Sequence, residues 1–198
     1  MKNYLRKALF SAFALLAFQS VSAQVEFKTD DPVKYSNHIV EQQEILGKEF
    51  IEFSMQLVNT ADYQSNERRR QEVVKQIELG LRRLRNMAPF KNGTALRNEA
   101  VAVFEMYKKL HTTEYAKIAV LVSNKESSLE ALEEYFKLQI KAEEKLLDNT
   151  ARMKKAQKKF ADKYRLTLVH NPMQDQFDKI LETNIYSRNV FLGYISVA

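Results

Sequence analysis

Residues 32–59, PVKYSNHIVEQQEILGKEFIEFSMQLVN, decide how this chain is read. Ile39, Leu46, Phe50, Phe53 and Leu57 succeed one another at spacings of seven, four, three and four residues. That is the apolar stripe of an α-helix. Asp30 or Asp31 is placed to cap the first turn. Pro32 suits the first helical position, where a missing N–H costs nothing. Val40, Ile51, Met55 and Val58 widen the stripe, so this helix is expected to be covered over much of its circumference.

Four more segments downstream repeat the pattern. A second helix starts near Ser65 or Asn66 and ends near Met87, with Val73, Ile77, Leu81, Leu84 and Met87 as its buried edge. Pro89 to Gly93 interrupts it; Asn92-Gly93 is a turn signal, and Thr94 can cap the next helix. The third helix, 95 to about 122, carries Leu96, Ala100, Val103, Phe104, Tyr107, Leu110, Ile118, Leu121 and Val122. Ser123-Asn124 ends it, and Ser127-x-x-Glu130 reads as a capping box for a fourth helix. That helix runs to about Tyr164 through Leu129, Leu132, Phe136, Leu146, Met153 and Phe160. After a break around 167–172, a fifth helix from 173 to about 189 shows Phe177, Ile180, Leu181 and Ile185. The apolar tail from Val190 to Val197 reads equally well as helix or strand. Short connections make successive helices antiparallel neighbours. The expectation is an all-α, antiparallel up-down-up-down bundle, with the fifth, C-terminal helix packed on its side or end. The heptad-like spacing also allows a homodimer, although the apolar faces are wider than a two-stranded seam.

Composition agrees. Of 198 residues, 45% are hydrophobic and 28% charged, the balance of one folded domain. Only 4 glycines and 3 prolines are present, too few for a turn-rich sheet fold. The lack of cysteine excludes disulfides, thiol catalysis and Cys-based zinc sites together.

Residues 1–23 have the three parts of a secretory signal: Lys2, Arg6 and Lys7, then an uncharged run from Ala8 to Phe18, then Val21-Ser22-Ala23. That run is too short to span a membrane. The expectation is export to the periplasm, cell surface or medium, leaving a helical-bundle domain of residues 24–198. Of 31 basic side chains three lie in this segment, and the remaining 28 against 25 acidic ones give +3. So weak a charge, on an exported chain, argues against nucleic acid as a partner.

Several polar residues fall on the apolar stripes: Gln42, His111, Gln139 and Glu143. If they face one interior they can line a small-ligand site; the competing reading is a polar layer satisfied within the protein. His38-x-x-Glu41 and His111-x-x-Glu114 place an imidazole and a carboxylate one turn apart, but in the reverse of the Glu-x-x-His order of di-iron bundles. No metal is assigned on that basis. Arg68, Arg69, Arg70, Arg82, Arg83 and Arg85 make the second helix basic, with seven basic and three acidic side chains between 65 and 86. They are candidates for contact with an anionic surface, against a solvated face with pairs such as Glu78–Arg82. Lys154, Lys155, Lys158 and Lys159 form a second basic block. Neither has the interleaved aromatic residues that stack bases. No Gly-rich phosphate loop, Gly-x-Ser-x-Gly or His-Glu-x-x-His is present, and no cofactor is implied. Asn92-Gly93-Thr94 matches a glycosylation sequon, but its turn role explains it better.

Asp31-Pro32-x-x-Tyr35, Pro89-Phe90-x-x-Gly93-x-x-Leu96-Arg97 and Tyr107 resemble a family of secreted helical proteins known from leptospiral surfaces, with relatives exported by Bacteroidetes-type bacteria. The Ser-Ala-Gln ending of the signal suits such bacteria. Members are often lipid-anchored through a cysteine, which this chain lacks. The family has no established activity, so the resemblance transfers no catalytic residue. The expectation is a non-enzymatic envelope or surface protein that binds another protein or an envelope component. The alternative is a small-ligand or metal-binding bundle built on the polar core positions.

Overall fold

The computed structural model describes residues 26–123, 125–169 and 171–195; the expected signal segment lies outside them. Six helices are described: α1 (Pro32–Asn59), α2 (Tyr63–Arg85), α3 (Ala95–Thr112), α4 (Glu114–Leu121), α5 (Leu129–Tyr164) and α6 (Pro172–Ile195). The fold is an all-α bundle, as the periodicities predict. None of these helices is long and apolar enough to cross a membrane.

The caps refine the expected boundaries. Asp31 Oδ1 accepts from the N–H groups of Val33 and Lys34, and Pro32 takes the first helical position. α2 begins two to three residues earlier than expected because Asp62 caps it, accepting from Ser65 N–H at 2.7 Å. Ser128, one residue after the expected cap, holds the start of α5 by accepting from Ala131 N–H. α5 ends at Arg165, which adopts φ 56°, and Leu166 N–H reaches back to Ala161 O at 2.9 Å. This left-handed closure leaves few carbonyls unpaired. The ambiguous tail is helical to Ile195.

The expected third helix divides at Thr113. The hydroxyls of Thr112 and Thr113 donate back to the carbonyls of Lys108 and Lys109, at 2.9 and 2.7 Å. Such back-bonding bends helices. The bend turns Tyr115, Ile118 and Ala119 of α4 into the core.

Contacts run α1 to α2, α2 to α3, α3 to α5, α5 to α6 and α6 back to α1. The last helix therefore closes a ring. Asn171 Nδ2 donates to Glu44 Oε1 at 3.2 Å, and further on Phe177 packs on Phe50 at 5.3 Å between ring centroids. α6 thus runs parallel to α1, starting opposite its middle. It covers the second half of α1 and leaves the Tyr35 end to other partners. Phe177 and Leu181 are its buried anchors.

At that end an extended clip is added. Phe27 N–H donates to Asn86 O and Phe27 O accepts from Ala88 N–H, at 3.1 and 2.9 Å. The Phe27 ring stacks on His38 at 4.0 Å. The turn at 90–93 has Lys91 at φ 44° and Asn92 at φ 64°, so the two central residues, not Gly93, carry the left-handed conformation. Phe90 and Gly93 exchange both backbone hydrogen bonds, the pattern of a type I′ turn. Glycine fits at 93 because a Cβ there would stand 3.3 Å from Phe90 O.

Candidate functional site

The polar residues on the apolar stripes are buried: Gln42, His111, Gln139 and Glu143 are all at most 5% exposed. They do not form one site. Gln42 sits on the α1–α2 side, where its amide donates to His38 O at 3.4 Å and accepts from Arg83 Nη1 at 3.0 Å. The other three belong to one layer across α3, α4, α5 and α6. His111 stacks on Tyr115 at 4.7 Å and meets Phe50 and Phe53 edge-on or tilted. Gln139 Nε2 donates to Tyr135 Oη at 3.1 Å. Glu143 is bound by Arg188 and by Asn184 Nδ2, both from α6.

Burial sets the protonation of this layer. It pushes His111 down to about 3, helped by the nearby Arg70, so the imidazole is neutral at physiological pH. Burial pushes Glu143 up to about 7 despite Arg188 and Asn184. The same cause raises Tyr115 and Tyr135. His111 Nδ1, Tyr115 Oη and Gln139 Oε1 have no hydrogen-bond partner among the described residues. Tyr107, half-buried on α3, is pushed up to about 12 by desolvation.

The six arginines of α2 do not share one surface. Arg70 is 6% exposed; it pairs with Glu67 and donates to His111 O at 2.5 Å, bracing the layer from behind. Arg69 is shared by Glu49, Glu52 and Glu72. Arg83 holds Gln42, and Arg85 pairs with Glu105. Arg68 and Arg82 are exposed and have no carboxylate within 4.0 Å among the described residues. Among the same residues no group of three or more His, Asp or Glu side chains is placed to hold a metal ion. His38 Nδ1 lies 4.0 Å from Glu41 Oε2, while Glu114 is held by Lys145 away from His111.

A concave feature lies elsewhere, at the end of α1 that α6 leaves uncovered. A groove of about 450 Å³ opens between the start of α1, the 87–95 connector, the start of α3 and the last three turns of α5. Its floor is aromatic. Tyr35 packs on Phe90 and Phe160 at 4.9 and 5.8 Å; Phe90 meets Phe160 and Tyr164 at 5.5 and 5.0 Å; Phe160 meets Tyr164 at 4.7 Å. Each such pair contributes about 0.5–1.5 kcal/mol beyond area burial. Tyr35 Oη donates to Ala88 O at 3.2 Å, and Arg97 Nη1 donates to Met87 O at 2.5 Å, fixing the connector that carries Phe90. One wall is α5, which presents Arg152, Lys155, Lys159 and Lys163 beside Ala156, Phe160 and Tyr164. Glu99 is the one carboxylate in the described lining; its Oε1 lies 2.8 Å from Arg152 Nη2, an ion pair that lacks hydrogen-bond geometry.

None of the four polar core residues lines this groove, nor does any of them line the shallower cleft beneath Tyr186 and Val190 of α6. Helical spacing does reveal the groove in retrospect: 152, 155, 159 and 163 form one row along α5, and 156, 160 and 164 the row beside it. Counting the lysines as a block of adjacent residues hides this division.

Fold and groove together define an all-α bundle with a cationic-rimmed aromatic cleft. Comparison with family models, with curated proteins and with solved structures finds no match for the chain.

Proposed function

We propose that this chain, once exported, is a non-enzymatic binding protein of the cell envelope, and that its binding element is the aromatic groove rather than the polar interior. The observation that carries this reading is the open cavity of about 450 Å³ over five mutually packed aromatic contacts. That size falls in the range of small-ligand pockets, roughly 300–1,000 Å³, and an apolar lining with a few polar groups is their usual chemistry. The interior layer supports a structural role. Its carboxylate is engaged by Arg188 and Asn184, and its imidazole is enclosed by rings. Nothing there resembles a nucleophile placed beside a base.

The test uses N-phenyl-1-naphthylamine, a neutral dye that brightens in apolar sites, with the variant Ala156→Phe, which fills the groove from α5. Saturable brightening with the unaltered chain, abolished by Ala156→Phe at unchanged helical content, is the expected result. Brightening that survives the substitution would place the apolar site elsewhere.

A further inference from the structure

The four lysines of 154–159 have different fates. Lys154 turns towards α6, with Nζ 2.6 Å from Asp178 and 4.0 Å from Asp175. Lys158 Nζ lies 3.2 Å from Asp162 one turn further on. Lys155 and Lys159 face the groove, and neither has a carboxylate within 4.0 Å among the described residues. Arg152 and Lys163 extend the same row, so four cations succeed one another at spacings of three and four residues. Like charges one turn apart destabilise a helix. Across the turn at 90–93, Lys91 adds a fifth cation, its Nζ 5.4 Å from the Phe90 ring and 5.7 Å from that of Tyr164. Against these stands Glu99, already bound to Arg152.

A row of cations therefore borders an apolar floor along one groove, and within it Lys155 and Lys159 have no carboxylate partner among the described residues. Resting on the groove reading above, we infer that the occupant is a free single-chain anionic amphiphile, its apolar part along Phe160 and Tyr164 and its anionic head between Lys155 and Lys159. A volume of about 450 Å³ holds about 15 heavy atoms at the ~30 Å³ that each occupies in a liquid, the size of a medium-chain carboxylate. Lysines act as point charges and do not demand the planar head that an arginine fork selects. A concave cleft of this size admits one chain; a bilayer surface offers it nothing that enters.

The probes are decanoate, decan-1-ol and decyltrimethylammonium, each displacing N-phenyl-1-naphthylamine from the full mature chain, with phosphatidylglycerol vesicles in a flotation assay. Decanoate is expected to bind roughly fivefold or more tightly than decan-1-ol, from two exposed ion pairs, and the cation weakest. High salt should erase most of the difference. In Lys155→Gln/Lys159→Gln the ratio of decanoate to decan-1-ol affinity should fall to near one. Lys154→Gln/Lys158→Gln should leave the preference intact. Equal affinity for decanoate and decan-1-ol would overturn the anionic assignment and leave the groove reading standing. Failure of the dye itself to bind would remove both. Flotation with vesicles, without displacement by decanoate, would also overturn the proposal in favour of lipid headgroups.

Discussion

Replacing Glu143 with Gln should change how stability depends on pH, because two buried groups act in opposite directions. Glu143 has its carboxyl raised from 4.5 to about 7 by desolvation. Between those values the folded chain holds a proton that the unfolded chain has released. Its contribution is therefore fully present below 4.5 and is lost as pH rises through 7. The ceiling is about 3 kcal/mol, of which about 2 kcal/mol falls between pH 7.5 and pH 5. His111 has its imidazole lowered from 6.5 to about 3. There the unfolded chain holds the extra proton, so stability is lost as pH falls below 6.5. In the middle of the window from 6.5 to 4.5 the two slopes nearly cancel, each approaching about 1.4 kcal/mol per pH unit. Urea denaturation followed by circular dichroism at several pH values reads this directly. The unaltered chain should show a shallow dependence across that window. Glu143→Gln should lose about 2 kcal/mol more than the unaltered chain on going from pH 7.5 to 5. His111→Phe should show the reverse, gaining stability on the same change. Parallel pH curves for Glu143→Gln and the unaltered chain would refute the claim that Glu143 is buried with a raised carboxyl.

Gly80→Ala should destabilise the chain by about 1–2 kcal/mol although alanine is the better helix former, because its Cβ would stand 2.4 Å from Phe104 Cε1. Adding Phe104→Leu should recover part of that loss in urea denaturation, and full additivity of the two would count against the contact. Lys91→Gly should gain up to about 1 kcal/mol by relieving a left-handed lysine, and a loss instead would show that its contacts with Phe90 and Tyr164 outweigh the backbone term. Leu181→Ala, at a fully buried site, should cost about 2–5 kcal/mol and raise amide exchange throughout α6 before the other helices. Uniform exchange across the bundle would mean that α6 does not open separately.

The helices were legible in the residues themselves. Apolar residues at three- and four-residue spacing specify a buried face whatever that face meets, and most of the expected stripe residues are in the core, whereas Met55 and Val58, expected to widen the face of α1, are exposed because no described helix packs on that side. Boundaries moved where a neighbouring side chain was the stronger cap, as at Asp62 and Ser128. The division at Thr113 lay in two adjacent threonines, whose back-bonding competes with a straight helix only when the bend also buries Tyr115 and Ile118.

Which polar groups meet is a property of the assembled bundle. Burial of Gln42, His111, Gln139 and Glu143 could be read from their places on the stripes, but a stripe does not say which neighbours face it. Gln42 found Arg83, while Glu143 found Arg188, 45 residues further along the chain. The arginines of α2 form one basic block in the sequence, yet Arg69, Arg70 and Arg85 are paired with carboxylates of α1, α2 and α3 and Arg83 with Gln42, because charge in a sequence carries no record of the opposing helix. The groove depended on a length: α6 begins opposite the middle of α1, so Tyr35, Phe90, Phe160 and Tyr164 are brought together at an end that α6 does not reach. Where a helix starts along its neighbour is set by side-chain packing between elements distant in sequence, and no local periodicity encodes it.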